Sequence, residues 1–382
     1  MGKLQEERNQ LFRDLWNGVK PKRIPVNSNV SLEYALEHYG YSLKREYYIP
    51  EYCFEVADKI NAYINADSLS CGSESRAAVF RYSLNKFMTP GESGYFQHPN
   101  FSPMTEDEYP QLIEDPFKFW ATVIKPRSFG LIEEDPLYGN LRMEIADRIL
   151  AQHWANYGSG KLVEKYERSN VEVTALLSMV PFDYIADYFR NFSGILVDIR
   201  RRPQEVLDAC ESMLSFLDGS LERAVHPEGM IPVVSLPLHM APYMKAKDFD
   251  KFYLPTFIKT IEHINDYNLY PSIYAEANWD PHLEALNELP GRVKIGFEIS
   301  NPELVVKKVD KRHFIYGFFD ATLFLTSTHE KVADETKKLI DIAGVNGNFL
   351  ISPNKSLMQK NDGKLELVKT FVDTALEYGV YK

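Results

Sequence analysis

From Ile231 onward, short apolar runs alternate with amphipathic segments, and each run ends in a polar or acidic residue. Ile231-Pro-Val-Val-Ser-Leu-Pro-Leu closes on His239. Pro271-Ser-Ile-Tyr274-Ala closes on Glu276, with Asn278, Trp279 and Asp280 just beyond it. Val293-Lys-Ile-Gly-Phe closes on Glu298, and His313-Phe-Ile-Tyr-Gly-Phe-Phe closes on Asp320. Runs of strand length separated by helix-length segments read as βαβ units on a parallel sheet. In such sheets the carboxyl ends of successive strands are where active sites are built.

This pattern predicts strands near 231–236, 271–277, 293–299, 313–318 and 347–352. It predicts helices near 246–267, 280–289, 302–309, 329–343 and 362–379. Upstream, Leu4, Leu11, Phe12, Leu15 and Trp16 fall at helical spacing over 3–18. Residues 23–30 read as a short strand, Ser31 as the cap of the next helix, and 51–65 as a further helix. Residues 67–72 read as a strand end, 84–110 as loops with edge strands, and 171–180 as a strand. Helices are expected over 140–168, broken at Gly158-Ser-Gly160, and over 181–192 and 203–224. Without a Gly-x-Gly-x-x-Gly turn, a dinucleotide-binding open sheet is disfavoured. The expected fold is one (βα)8 TIM barrel over residues 1–382, with residues 1–66 as an N-terminal helical extension.

Charge narrows the partners. The formal net charge is -11, so no basic face is expected to neutralise nucleic-acid phosphates. Arg200-Arg201-Arg202 precedes Pro203 and reads as a solvated helix start. The cysteines, Cys53, Cys71 and Cys210, form no Cys-x-x-Cys or His-x-Cys pattern, which fits a reducing compartment. No apolar leader and no run of membrane-spanning length is visible, so a cytoplasmic enzyme is expected. The 23 Phe, 23 Tyr and 4 Trp suit either a large aromatic core or a pocket for a flat ligand.

Several segments resemble the uroporphyrinogen decarboxylase superfamily. They include Phe249-Asp-Lys-Phe-Tyr-Leu-Pro255, Asn278-Trp279-Asp280-Pro281-His282, Gly317-Phe-Phe-Asp320 and Thr326-Ser-Thr-His329. Gly347-Asn-Phe-Leu-Ile-Ser, Glu377-Tyr-Gly-Val-Tyr381, Arg23-Ile-Pro-Val and Tyr34-Ala-Leu-Glu-His-Tyr-Gly40 are similar as well. The resemblance implies a (βα)8 barrel with one of two chemistries, decarboxylation of uroporphyrinogen or methyl transfer involving a corrinoid protein, usually with zinc. The decarboxylases carry an Arg-Gln-Ala-Gly-Arg-Tyr stretch; here only Ser75-Arg76-Ala-Ala-Val-Phe-Arg81-Tyr82 approaches it. The thiol-directed methyltransferases carry His-x-Cys and a second Cys; here Tyr274-Ala-Glu276 and Asn354 stand in those places. What remains resembles the methyltransferase I group of anaerobic O-demethylases. That implies a cytoplasmic enzyme of anaerobic metabolism that moves a methyl group from a methoxylated aromatic donor to the cobalt of a corrinoid protein partner. A homodimer is compatible with it, and uroporphyrinogen decarboxylation in tetrapyrrole biosynthesis is the alternative.

Within that resemblance, Glu276, His239 and Asp320 are the catalytic candidates, because an ether oxygen must receive a proton or a Lewis acid as it leaves. Glu276, Glu298 and His239 are the candidate ligands of a zinc ion, for which oxygen and imidazole donors serve where thiolates are absent. Glu298 has a structural reading too, as the partner of Lys294 or Arg312. Tyr274, Asn278, Trp279 and Asn354 are the candidate substrate contacts. His282 and His329 are expected on the surface at helix starts, and Lys355 in a solvated loop.

Overall fold

The computed structural model describes residues 2–381. In the loop-rich stretch lies a small antiparallel ribbon, β1 (Thr89–Pro90) and β2 (Phe96–Gln97). The main sheet comprises β3 (Glu172–Leu177), β4 (Ile231–Leu238), β5 (Tyr270–Ala275), β6 (Lys294–Phe297), β7 (Phe314–Phe319) and β8 (Phe349–Pro353). All six are parallel and pair in sequence order. The alternation read from Ile231 onward is borne out, with boundaries within three residues of those expected and the segment Asp280–Glu288 formed as a 3-10 helix. Every residue of β6 and β8 is buried, as the near-continuous apolar runs of a sheet covered on both faces require.

The outer edges of this sheet do not face solvent alone. Ile351 N donates to Pro25 O at 3.0 Å and Asn27 N to Ile351 O at 2.9 Å, so residues 25–27 run beside β8. Asp67 N donates to Val26 O at 2.9 Å, and Ser169 N reaches Asp67 O at 2.7 Å just before β3. A ladder of backbone hydrogen bonds thus passes from β8 through two extended segments to the start of β3. Arg23 fixes this region by a fork onto the buried Asp67, at 2.5 and 2.6 Å. A bidentate guanidinium–carboxylate pair sets orientation as well as distance.

The helix Lys3–Asn17 covers the amino ends of the strands. Trp16 Nε1 donates to Glu172 Oε1 at 2.6 Å, and Lys294 Nζ holds Glu172 Oε2 at 2.6 Å. Lys294 is therefore committed to Glu172 on the sheet floor and not to Glu298, for which it is a candidate partner in the sequence. At the other end, residues 74–157 form a long excursion between the second extended segment and the return helix Ser159–Lys165. Its two ends are tied by Ser73, whose amide donates to Ser159 Oγ at 2.9 Å and whose hydroxyl donates to Tyr157 O at 2.8 Å. The cysteines are all buried and free. Among the described residues no helix is long and apolar enough to cross a membrane.

Candidate active site

Register decides which strand-end residues meet. Leu238 pairs with Ala275, and Ala275 with Phe297, so His239, Glu276 and Glu298 follow in one row. Phe297 pairs with Gly317, which places Phe318 opposite Glu298 and leaves Asp320 two residues further out. Asp320 is exposed, and its Oδ1 accepts from Thr322 N at 3.0 Å and Thr322 Oγ1 at 2.8 Å. It starts a helical turn and does not join the row of His239, Glu276 and Glu298.

His239 Nδ1 lies 2.5 Å from Asp187 Oδ2, and Nε2 lies 3.2 Å from Glu276 Oε1. Burial opposes charge on this ring, but the hydrogen bonds to Asp187 and Glu276 outweigh it and raise the pKa to about 11. The ring is thus an imidazolium donating from both nitrogens. Asp187 sits in the π-helical turn Ala186–Arg190, which extends the helix Pro181–Ile185. Such turns recur at functional sites.

One turn earlier, Asp183 is fully buried. Its Oδ1 accepts from Met240 N at 2.8 Å, and its Oδ2 from His239 N at 3.2 Å and Tyr253 OH at 2.6 Å. Burial pushes its pKa up to about 7, against the hydrogen bond from Tyr253. Asp183 therefore fixes the backbone of the residue whose side chain Asp187 orients. Neither carboxylate was singled out from the sequence. The available signal was their spacing of four in Pro181-Phe-Asp183-Tyr-Ile-Ala-Asp187, which puts both on one helix face directly after a strand.

Glu298 is bonded to other groups than His239. It accepts from the Ala277 amide and pairs with Lys355 Nζ, so its partner is neither Lys294 nor Arg312. Ala277 has φ +55°, a left-handed conformation that costs a residue with a Cβ about 1–2 kcal/mol. The Glu298 carboxylate holds that bend, and the bend carries Glu276. The strand-end cavity is about 430 Å³ and is lined by Phe192, His239, Tyr243, Glu276, Glu298 and Lys355, among others. Lys355, expected in a solvated loop, is thus part of its wall.

The substrate contacts suggested by the sequence fall elsewhere. Trp279 is wholly buried, edge-on to Phe249 and packed beside Tyr253, so it is core. Asn354 spends its side chain on backbone, Nδ2 donating to Glu298 O at 2.9 Å and Oδ1 accepting from Ala321 N at 3.0 Å. It clamps the ends of β6, β7 and β8. The Tyr274 hydroxyl donates to the Asn354 carbonyl, and Asn278 caps Asp280 N at 2.9 Å. His282 is buried and stacks on Phe249 at 4.2 Å, contrary to the surface position expected, whereas His329 is exposed.

A zinc ion held by His239, Glu276 and Glu298 does not fit these residues. His239 Nε2 and Glu276 Oε1 are two donors side by side, but Glu298 is held by Lys355 and the Ala277 amide. Among the described residues no group of three His, Cys, Asp or Glu side chains is placed to hold a metal. The arginines that a porphyrinogen decarboxylase would need are also outside the cavity. Arg76 pairs with Asp147 at 2.6 Å, and the Arg81 guanidinium sits 5.0 Å from the Tyr48 ring.

No protein-family model matches the chain, and no curated protein does. Among solved structures the chain is similar to a methyltransferase from Methanosarcina mazei, with a TM-score of 0.62 at 14% identity. That likeness covers 97% of this chain and 98% of the other. It is a likeness of fold: a mixed α/β architecture of TIM-barrel-like kind around the parallel sheet.

Proposed function

We propose that this chain is a methyltransferase that takes the methyl group of a small methoxylated aromatic donor and passes it to a corrinoid protein. The single observation that carries the reading is the Asp187–His239–Glu276 relay at the strand-end cavity. The fold shared with a methyltransferase along nearly the whole chain supports it. In this reading residues 24–30 and 66–70 complete the six strands into an eight-membered barrel, and the chain is one domain.

The chemistry asks for a proton. When the methyl–oxygen bond breaks, the bonding electron pair stays on the ether oxygen, and a phenolate leaves poorly unless protonated. His239 Nε2–H is the donor. Its pKa of about 11 lies close to that of a phenol, about 10, and far below what an alkoxide would require. Proton transfer to a phenolate is therefore nearly balanced, which favours an aryl ether over an alkyl ether. Asp187 holds the imidazole in place after the proton has gone, and the half-exposed Glu276 connects the ring to solvent for reprotonation.

A corrinoid, when a partner presents it, supplies the cobalt nucleophile that accepts the methyl group. This chain's part is to orient the donor and exclude water. Phe192, Tyr243 and Ile299, all exposed, rim the cavity with apolar surface on which a partner can seat. Phe192 and Tyr243 meet edge-to-face at 5.2 Å and form an aromatic wall for a ring.

The test is a donor panel under reducing, anaerobic conditions with a reduced corrinoid as acceptor, following release of the demethylated product. Turnover of methoxyphenols and none of aliphatic methyl ethers is expected. Turnover of uroporphyrinogen, with no methoxyphenol consumed, would sink the reading.

A further inference from the structure

We propose that the chain self-associates through the helix Gly139–Tyr157 of the long excursion, packed antiparallel against the same helix of a second copy. The helix presents an apolar row that the chain leaves uncovered. Leu141, Ile145 and Ile149 recur every four residues and are 55%, 48% and 53% exposed. A three-residue apolar row at this spacing is the face with which a helix buries itself against a neighbour. Beside it runs a groove of about 700 Å³ whose walls include Ile49, Pro50, Val79 and Tyr82.

Charge identifies the occupant. Glu144 and Arg148 repeat the same spacing along one flank of the row, and among the described residues neither side chain has a partner. The neighbouring charges are already used: Arg142 pairs with Asp135 at 3.1 Å, and Asp147 with Arg76 at 2.6 Å. Glu144 and Arg148 are equidistant from Ala146. When two copies of the helix lie antiparallel about a two-fold axis beside Ala146, like flanks meet, and each Glu144 faces the other copy's Arg148. In that same register the two apolar rows interleave at about 3 Å along the axis, since each residue rises about 1.5 Å. A surface whose apolar spacing and unpaired charges are satisfied together by its own copy fits an isologous dimer. The proposal stands apart from the reading of the strand-end site.

The experiment is sedimentation velocity of the full chain over a range of concentrations. The wild type is expected as a dimer. Ile145→Glu is expected to raise the dissociation constant at least tenfold, while its circular-dichroism spectrum stays that of the folded wild type because the side chain is exposed. Glu144→Arg and Arg148→Glu are each expected to weaken the dimer, and the double swap to restore it. A monomer at every concentration, a dimer indifferent to Ile145→Glu, or a double swap no better than the single ones would overturn the proposal.

Discussion

His239 Nδ1 lies 2.5 Å from Asp187 Oδ2, and this pair makes a strand-end histidine a stored proton. Asp187→Asn removes one of the two carboxylates that hold the charge, so the His239 pKa falls. The active form carries the proton, and activity is lost as pH rises through that pKa. The basic limb of the pH profile of kcat/KM therefore moves from about 11 in the wild type to lower pH in the variant. The loss of activity is therefore expected to grow as pH rises, larger at pH 8 than at pH 6, and to stay below the roughly 10²–10⁴-fold that a general acid contributes as a whole, because Glu276 still holds the ring. An unmoved basic limb would remove Asp187 from the relay.

Stability should respond to the same proton. The folded-state pKa of His239 is raised above its ordinary 6.5 to about 11, so its contribution is fully present below pH 6.5 and is lost as pH rises through about 11. In His239→Gln the midpoint of urea unfolding should fall less steeply between pH 7 and 10 than in the wild type. Parallel slopes would mean that the ring is not charged in the fold.

Asp183 acts in a different window. Its pKa is raised, so the fold binds this proton more tightly than the unfolded chain does. Its contribution to stability is greatest below about 4 and declines as pH rises to about 7. Asp183→Asn puts an amide nitrogen opposite the His239 N–H and Tyr253 O–H donors. A buried mismatch of that kind costs about 1–3 kcal/mol. Denaturant titration of the variant at pH 7 measures it, and a cost near zero would show that the three hydrogen bonds do not hold His239.

Ala277 is the backbone hinge of the site. At φ +55° a glycine is unstrained, so Ala277→Gly should raise stability by up to about 1 kcal/mol, and Ala277→Val should lower it by more than that. Thermal melts of the two variants should move in opposite directions.

Trp279 separates core from site. Its side chain is wholly buried, and Trp279→Ala should cost about 3–5 kcal/mol, as large aromatic truncations do. Trp279→Phe should fold and leave the KM for the aromatic donor unchanged. A several-fold rise in KM would return Trp279 to the substrate wall.

The same residues show how much of the fold and site is written in the sequence. Apolar runs separated by amphipathic segments were enough for the parallel sheet, and strand ends were enough to place His239, Glu276 and Glu298 beside one cavity. Asp320 ended a strand in the same way, yet the β6–β7 register carried it past the row, and register is not written in periodicity. Asp183 and Asp187 were overlooked because they sit on a helix, where a polar pair ordinarily marks the solvated face. Asn354 and Tyr274 looked like substrate contacts because they sit at strand ends; their polar atoms were in fact required by neighbouring backbone. Lys355 and Glu298 lie far apart in sequence, and only the closing of the strand ends pairs them.

The most direct test of the central claim is a single-turnover measurement of phenol release from a methoxyphenol, with a reduced corrinoid as acceptor, at pH 8. The wild-type chain should release the phenol at a rate at least about a hundredfold above that of His239→Gln, which keeps a hydrogen-bonding side chain but no titratable proton. Equal rates in the two proteins would contradict the assignment of His239 as the acid, and no phenol from either would contradict the methyltransferase reading itself.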